Sequence, residues 1–160
     1  GPAARMWIAN PPLSETGRAM LKEHFGLDAK NFRDLGEDNV FSIMGRHVAR
    51  AEETHLVVNA VIQWLKEIRP GDETWSKFEI PVTAEGFGCM EAPRGSLIHY
   101  IKVADKKIDN YQIVSATLWN CCPRDDKDQR GPVEEALIGV DVPDIANPVN
   151  VGRLIRAFDP

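Results

Sequence analysis

One stretch limits the possible folds of this chain more than any other. From about Ser42 to Ile68, the residues Val48, Ala51, His55, Val58, Ile62 and Leu65 recur at spacings of three and four, and Arg69-Pro70-Gly71 ends the run. That period is the signature of an amphipathic α-helix. At ~1.5 Å per residue it predicts a rod of about 40 Å. So long a helix in a chain of 160 residues reads as a beam within a larger helical body. In isolation such a piece is expected to expose apolar faces meant for other helices and to aggregate.

Shorter elements flank the beam. Pro12 to Phe25 predicts a helix with Ser14 near its start and Gly26 just past its end. Glu79 to Arg94 is rich in Pro and Gly with little periodicity, and reads as a loop that brings backbone close to something. Ser96 to Val103 and Lys107 to Val114 are β-prone runs joined by Ala104-Asp105-Lys106, the pattern of a hairpin. The polar run Cys121 to Gly131 reads as a surface loop. Pro132, followed by Glu134 and Glu135, favours a short helix ending at Gly139, because acidic groups complement a helix N-terminus. A last helix, roughly Pro148 to Ala157, places Val151, Leu154, Ile155 and Phe158 on one face. The expected class is α+β, predominantly helical, with one long helix and a small antiparallel hairpin. Residues 1–160 form a single unit without an internal repeat.

Composition excludes several functions. A formal net charge of -5, from 24 acidic and 19 basic side chains, argues against nucleic acid, since neutralising phosphates needs a cationic surplus. No apolar run approaches the ~20 residues of a membrane span, and the first residues do not resemble a signal peptide. Cys89, Cys121 and Cys122 form no familiar disulfide framework, and the adjacent pair would bridge only in strained geometry, so thiols are expected. His47 and His55 lie too far apart on the long helix to chelate one ion. The chain begins with Gly1 and stops at Asp159-Pro160, directly after the amphipathic run Val149 to Phe158. It reads as a piece of a longer protein, incomplete at both ends.

Several segments, in order, resemble one family. Gly45-Arg46-His47-Val48-Ala49-Arg50-Ala51-Glu52-Glu53-Thr54 lies on the long helix, and Gly88-Cys89-Met90-Glu91-Ala92-Pro93-Arg94-Gly95-Ser96-Leu97-Ile98-His99-Tyr100 follows. Next come Asn110 to Val114, Trp119-Asn120, Pro123-Arg124-Asp125, Gly131 to Glu134 and Ala136 to Gly139. The chain opens on Gly1-Pro2-Ala3-Ala4-Arg5 and closes on Arg156-Ala157-Phe158-Asp159-Pro160. Together these resemble the large subunit of the nickel–iron hydrogenases. The closing segment is similar to the lead-in of that family's C-terminal Asp-Pro-Cys-x-x-Cys motif.

The resemblance implies an oxidoreductase that splits molecular hydrogen heterolytically at a Ni-Fe centre. Nickel is then held by cysteine thiolates from two Cys-x-x-Cys motifs, neither of which this chain contains, and iron carries carbon monoxide and cyanide. Soft thiolates suit such a centre. Electrons would pass to iron–sulfur clusters in a separate small subunit, and the compartment is cytoplasmic, or membrane-associated or periplasmic through that partner. A non-catalytic, hydrogen-sensing or structural relative on the same fold is the alternative.

For single residues, the resemblance places Arg94 over the open face of the metals, with Asp159 beside it as a charge-assisted partner in a catalytic pair. It makes Pro93 and Thr117 cofactor-binding residues, Thr117 donating to a cyanide, and it gives the Ile113 backbone carbonyl to a magnesium ion. Without the resemblance, Arg94 reads as a structural arginine paired with a carboxylate, Asp159 as a helix-end residue, and Thr117 as β-branched packing at a strand end. Glu91 reads as structural, pairing with Arg94 or capping a local turn. His99 reads as a satisfied core residue, or by resemblance as part of a hydrogen-bond relay. Cys121-Cys122 and Ser115-Ala116 depart from the family pattern, which has small residues and a proline-containing stretch there.

Overall fold

The long helix forms as its periodicity predicts, but it buries a different face. The computed structural model describes residues 1–160, and in it α4 spans Ile43–Glu67. Ser42 caps it, its hydroxyl accepting the Gly45 N–H at 3.0 Å. The buried positions are Gly45, Ala49 and Glu52. Of the expected apolar face, Val48 packs against the core, while Ala51, His55, Val58, Ile62 and Leu65 are exposed. The reason is distance. Neighbouring elements approach α4 where its side chains are smallest, and a Cβ on Gly45 would lie 1.9 Å from the Asn39 carbonyl oxygen. Hydrophobic periodicity weights large side chains, whereas close helix contact here selects small ones.

Around the first half of α4 gather α1 (Pro2–Ala9), α2 (Glu15–Phe25), a 3₁₀ turn (Phe32–Leu35) and α3 (Glu37–Val40). Ser14 caps α2 and Gly26 ends it in a left-handed conformation, as expected. Met6, Leu21, Phe32, Leu35 and Val40 form the main core with Ala49. Of these elements, α1, the 3₁₀ turn and α3 are too short to carry a readable period. Glu52, buried on α4, accepts the Ser14 N–H and hydroxyl, both at 2.8 Å, and so fastens the start of α2 to the beam. The approach is close enough that a Cβ on Gly17 would meet Glu52 Oε1 at 1.9 Å.

The hairpin is part of a larger sheet. β1 (Thr83–Ala92), β2 (Gly95–Ala104) and β3 (Lys107–Val114) form a three-stranded antiparallel meander in that order. Asp105 and Lys106 close the second turn, both at positive φ, the primed turn that suits strand twist. The expectation of a loop over Glu79 to Arg94 is corrected: most of it is β1. That strand lies at the sheet edge and is exposed along nearly its whole length. With neither face buried, no alternation marks it in the sequence, and Gly86 and Gly88 sit in open space.

After the sheet come α5 (Ala116–Asn120), α6 (Pro132–Leu137) and α7 (Val149–Phe158). Thr117 is therefore helical rather than at a strand end. Val133, Leu154 and Phe158 form a second small core, joined to the beam through Ile43. No helix is long and apolar enough to cross a membrane.

The second half of α4 has no cover: Leu56, Val57, Val58, Val61, Ile62, Trp64 and Leu65 are all exposed. A patch of this kind drives association. The isolated 160-residue chain is expected to self-associate at micromolar concentration in sedimentation velocity, and a single monomeric boundary that also melts cooperatively would overturn this.

Candidate functional site

Arg94 stands at the tip of the first hairpin. Ala92 pairs with Gly95, so Pro93 and Arg94 alone make the turn. Gly95 takes φ +145°, and a Cβ there would come within 3.1 Å of the Ala116 side chain and 3.4 Å of the Gly1 nitrogen. Only glycine fits both that conformation and that approach. The tip is thereby set against the chain start and α5.

Asp159 reaches the same place from the other end of the chain. It caps α7 in a left-handed conformation, its N–H donating to the Arg156 carbonyl at 3.0 Å. Its Oδ2 lies 3.2 Å from Arg94 Nε and 3.7 Å from Arg50 Nε. Arg50 also donates to the Ala157 carbonyl at 3.1 Å, and the Arg46 guanidinium stacks 4.4 Å from the Phe158 ring centre. Burial lowers the pKa of Arg46 from the ordinary guanidinium value. Arg46, Arg50 and Arg94 thus face a pocket of about 210 Å³, walled on its apolar side by Pro2, Ala3, Phe41 and Phe158. Three guanidinium groups against one carboxylate leave the pocket cationic.

A second arginine network holds the tip in place. Arg5, on α1, grips Glu53 of α4 with two parallel contacts, Nε to Oε1 at 2.5 Å and Nη2 to Oε2 at 2.7 Å. It then donates to Glu91 at 2.6 Å, to the Ala92 carbonyl at 2.9 Å and to the Pro93 carbonyl at 2.8 Å. The Glu53 and Glu91 carboxylates raise the pKa of Arg5 above its ordinary value against the cost of burial. Glu91 also accepts the Ser96 hydroxyl. Glu91 is structural, but its partners are Arg5 and Ser96, not the expected Arg94.

The remaining residues singled out in the sequence lie around this centre. Thr117, half-buried on α5, is not a wall of the pocket; Asn120 of the same helix is. Ile113 lies on β3 opposite His99 and is half-exposed. His99 is partly buried and shares a hydrogen bond with the Tyr111 hydroxyl. His47 and His55 are exposed, and all three cysteines are exposed free thiols. Cys122 Sγ donates to the Trp119 carbonyl. A Cβ on Gly131 would meet the Cys122 carbonyl at 1.9 Å, so this pair belongs to the packing of the polar loop.

Sequence reasoning overlooked Arg5, Arg46, Arg50 and Glu53 as site residues. A signal was present. On α4, Arg46, Arg50 and Glu53 follow the small or buried positions Gly45, Ala49 and Glu52 one residue behind, so a charged stripe runs beside the contact stripe.

No three His, Cys, Asp or Glu side chains gather closely enough to hold a metal ion. What these residues fit is the outer shell of an anionic group: fixed cations and an orienting carboxylate, with no ligand of their own. The family model for nickel-dependent hydrogenases matches residues 1–160. The chain is 67% identical to the periplasmic [NiFeSe] hydrogenase large subunit of Desulfomicrobium baculatum, over its whole length and 31% of that protein. It is 36% identical to the uptake hydrogenase large subunit of Bradyrhizobium diazoefficiens, covering 28% of it. Its fold superposes on the reduced Ni-Fe-Se hydrogenase of D. vulgaris Hildenborough with a TM-score of 0.95 at 66% identity, covering 33% of that chain. The chain therefore spans about a third of the length of these relatives.

The Glu91 cluster gives a titration test. Ser96 first, then Arg5, holds the Glu91 carboxyl below its ordinary 4.5. A lowered carboxyl stabilises the fold fully above the ordinary value and loses that contribution as pH falls through the lowered one. In an NMR titration the midpoint of Glu91 is expected below 4.5, and Ser96→Ala should move it upward. An unmoved midpoint would exclude Ser96 as the main cause.

Proposed function

This chain belongs to the nickel-dependent hydrogenase family, and from that premise we propose that it is the portion of a hydrogenase large subunit that presents Arg94 and Asp159 to a Ni-Fe centre. The reaction is the reversible heterolytic oxidation of molecular hydrogen, with electrons leaving through an iron–sulfur small subunit. The observation that carries this reading is the meeting of Arg94, Arg50 and Asp159, from three distant segments, where Arg94 and Arg50 line one cationic pocket. The contrast between 67% identity to a [NiFeSe] large subunit and 36% to an uptake enzyme supports a selenium-containing subgroup. The former relative is periplasmic by name, which supports the same compartment here.

When bound, the metal centre supplies the electron-rich site at which hydrogen is polarised and its electrons are taken up. The chain's own residues supply charge and order. Arg94 is tied through Nε to Asp159, and its terminal nitrogens donate no hydrogen bond to the protein, so its positive charge is free to act on what lies before it. Fixed charge of this kind costs no reorganisation at the moment of reaction. Both arginines approach Asp159 most closely at Oδ2, which leaves Oδ1 the freer oxygen to hold a proton released from hydrogen. Pro93, at the turn, and Thr117, on α5, would hold the carbon monoxide and cyanide ligands, Thr117 by donating its hydroxyl proton in a hydrogen bond. Ile113 lies on the edge strand β3, and its backbone carbonyl would be the group offered to magnesium. A hard cation of this kind asks only for an oxygen donor.

In the complete large subunit with its small subunit, Arg94→Lys should lower hydrogen turnover by roughly 10²–10³-fold, the usual loss for one preorganised electrostatic donor. Nickel content should stay unchanged, because Lys keeps the charge but not the planar fork. Full turnover in this variant would overturn the catalytic reading of Arg94 and favour a sensing or structural role for the parent.

A further inference from the structure

We infer that Arg5 is a positioning residue for Arg94, clamping the two-residue turn that carries it to the central beam. This rests on the reading of Arg94 given above. The sheet alone holds the hairpin tip weakly. β1 is an exposed edge strand with two glycines, so few side-chain contacts anchor the hairpin tip from the strand side. The tip needs a strut, and Arg5 supplies one.

A guanidinium has five N–H donors. Those of Arg5 make five bonds: two to Glu53, one to Glu91 and one each to the Ala92 and Pro93 carbonyls. None is left for a ligand, so Arg5 acts through the turn and not on substrate. A simple stabilising ion pair needs only Glu53. The bonds to two successive carbonyls, ending at the residue before Arg94, fix the direction in which the turn leaves β1. Lysine is no substitute, since an ammonium cannot grip Glu53 through a planar fork while reaching both carbonyls.

The test uses the assembled hydrogenase and four variants: Arg5→Lys, Glu91→Gln, Arg94→Lys and the Arg5→Lys/Arg94→Lys double. Amide exchange over residues 91–96, nickel content, kcat and KM for hydrogen are measured for each. Arg5→Lys should speed exchange at residues 92–95, retain nickel, and lower kcat roughly ten- to a hundredfold, the scale of a small misplacement. KM should change little. Glu91→Gln, which leaves Arg5 seated on Glu53, should move exchange and kcat the same way by less.

In the Arg94→Lys background, Arg5→Lys should cost nothing more, because a positioning residue has nothing left to position. Multiplicative losses in the double variant, unchanged exchange at residues 92–95, or nickel lost in proportion to activity would each overturn the inference. If Arg94→Lys alone keeps full kcat, the reading of Arg94 falls, while exchange at residues 92–95 still decides whether Arg5 holds the turn.

Discussion

The structure turns on one fork of charge, the Arg5 guanidinium laid across the Glu53 carboxylate. It joins α1 to α4 and, through the remaining donors of the same group, joins both to the turn at Pro93 and Arg94. Paired arginine and carboxylate planes are strong because each contact is charge-assisted and the geometry is already rigid. Both side chains are still about one-fifth to one-quarter exposed, so the pair gains less than a dry one and loses less to desolvation. Removing either partner would leave the other charge half-buried and three chain segments without a common anchor.

Next to Glu53, Glu52 works on the neighbouring face. Consecutive residues on a helix point about 100° apart, and these two carboxylates hold different elements: Glu52 takes the cap of α2, and Glu53 takes Arg5. The beam is thus charged where it meets its neighbours' polar ends and small where it meets their backbones, at Gly45 and Ala49. The same alternation sets the site, since Arg46 and Arg50 follow these small positions and face the pocket that the close approach creates.

How much of this is legible in sequence depends on whether a feature leaves a local mark. Caps and stops do: Ser42, Ser14 and Gly26 mark helix ends that the structure has. The hairpin after Gly95 is legible because its second turn and β-prone strands are contiguous. β1 is not, because a strand exposed on both faces carries no period. The contact face of α4 is not legible either, for the opposite reason: the large apolar residues that set its period are exposed, while its small ones do the packing. Arg94 and Asp159 came from family resemblance, and their proximity is a plain distance in the fold. Arg5 carried no local mark, since its partners lie up to 88 residues away.

Those separations bear on when the site forms. The main core is built from the first fifty residues, and the second from α6 and α7. The pocket draws on both ends of the chain, with Ala3 and Phe41 in its lining from the first region and Ala157 and Phe158 from α7. Arg50 reaches Ala157 across 107 positions. Contacts that close long loops must repay chain entropy before they stabilise anything, so the cationic pocket is complete only after both cores exist and α7 has returned to the beam. Arg94 is placed by Arg5 from the first core and by Asp159 from the second, and its position therefore reports that the two have met.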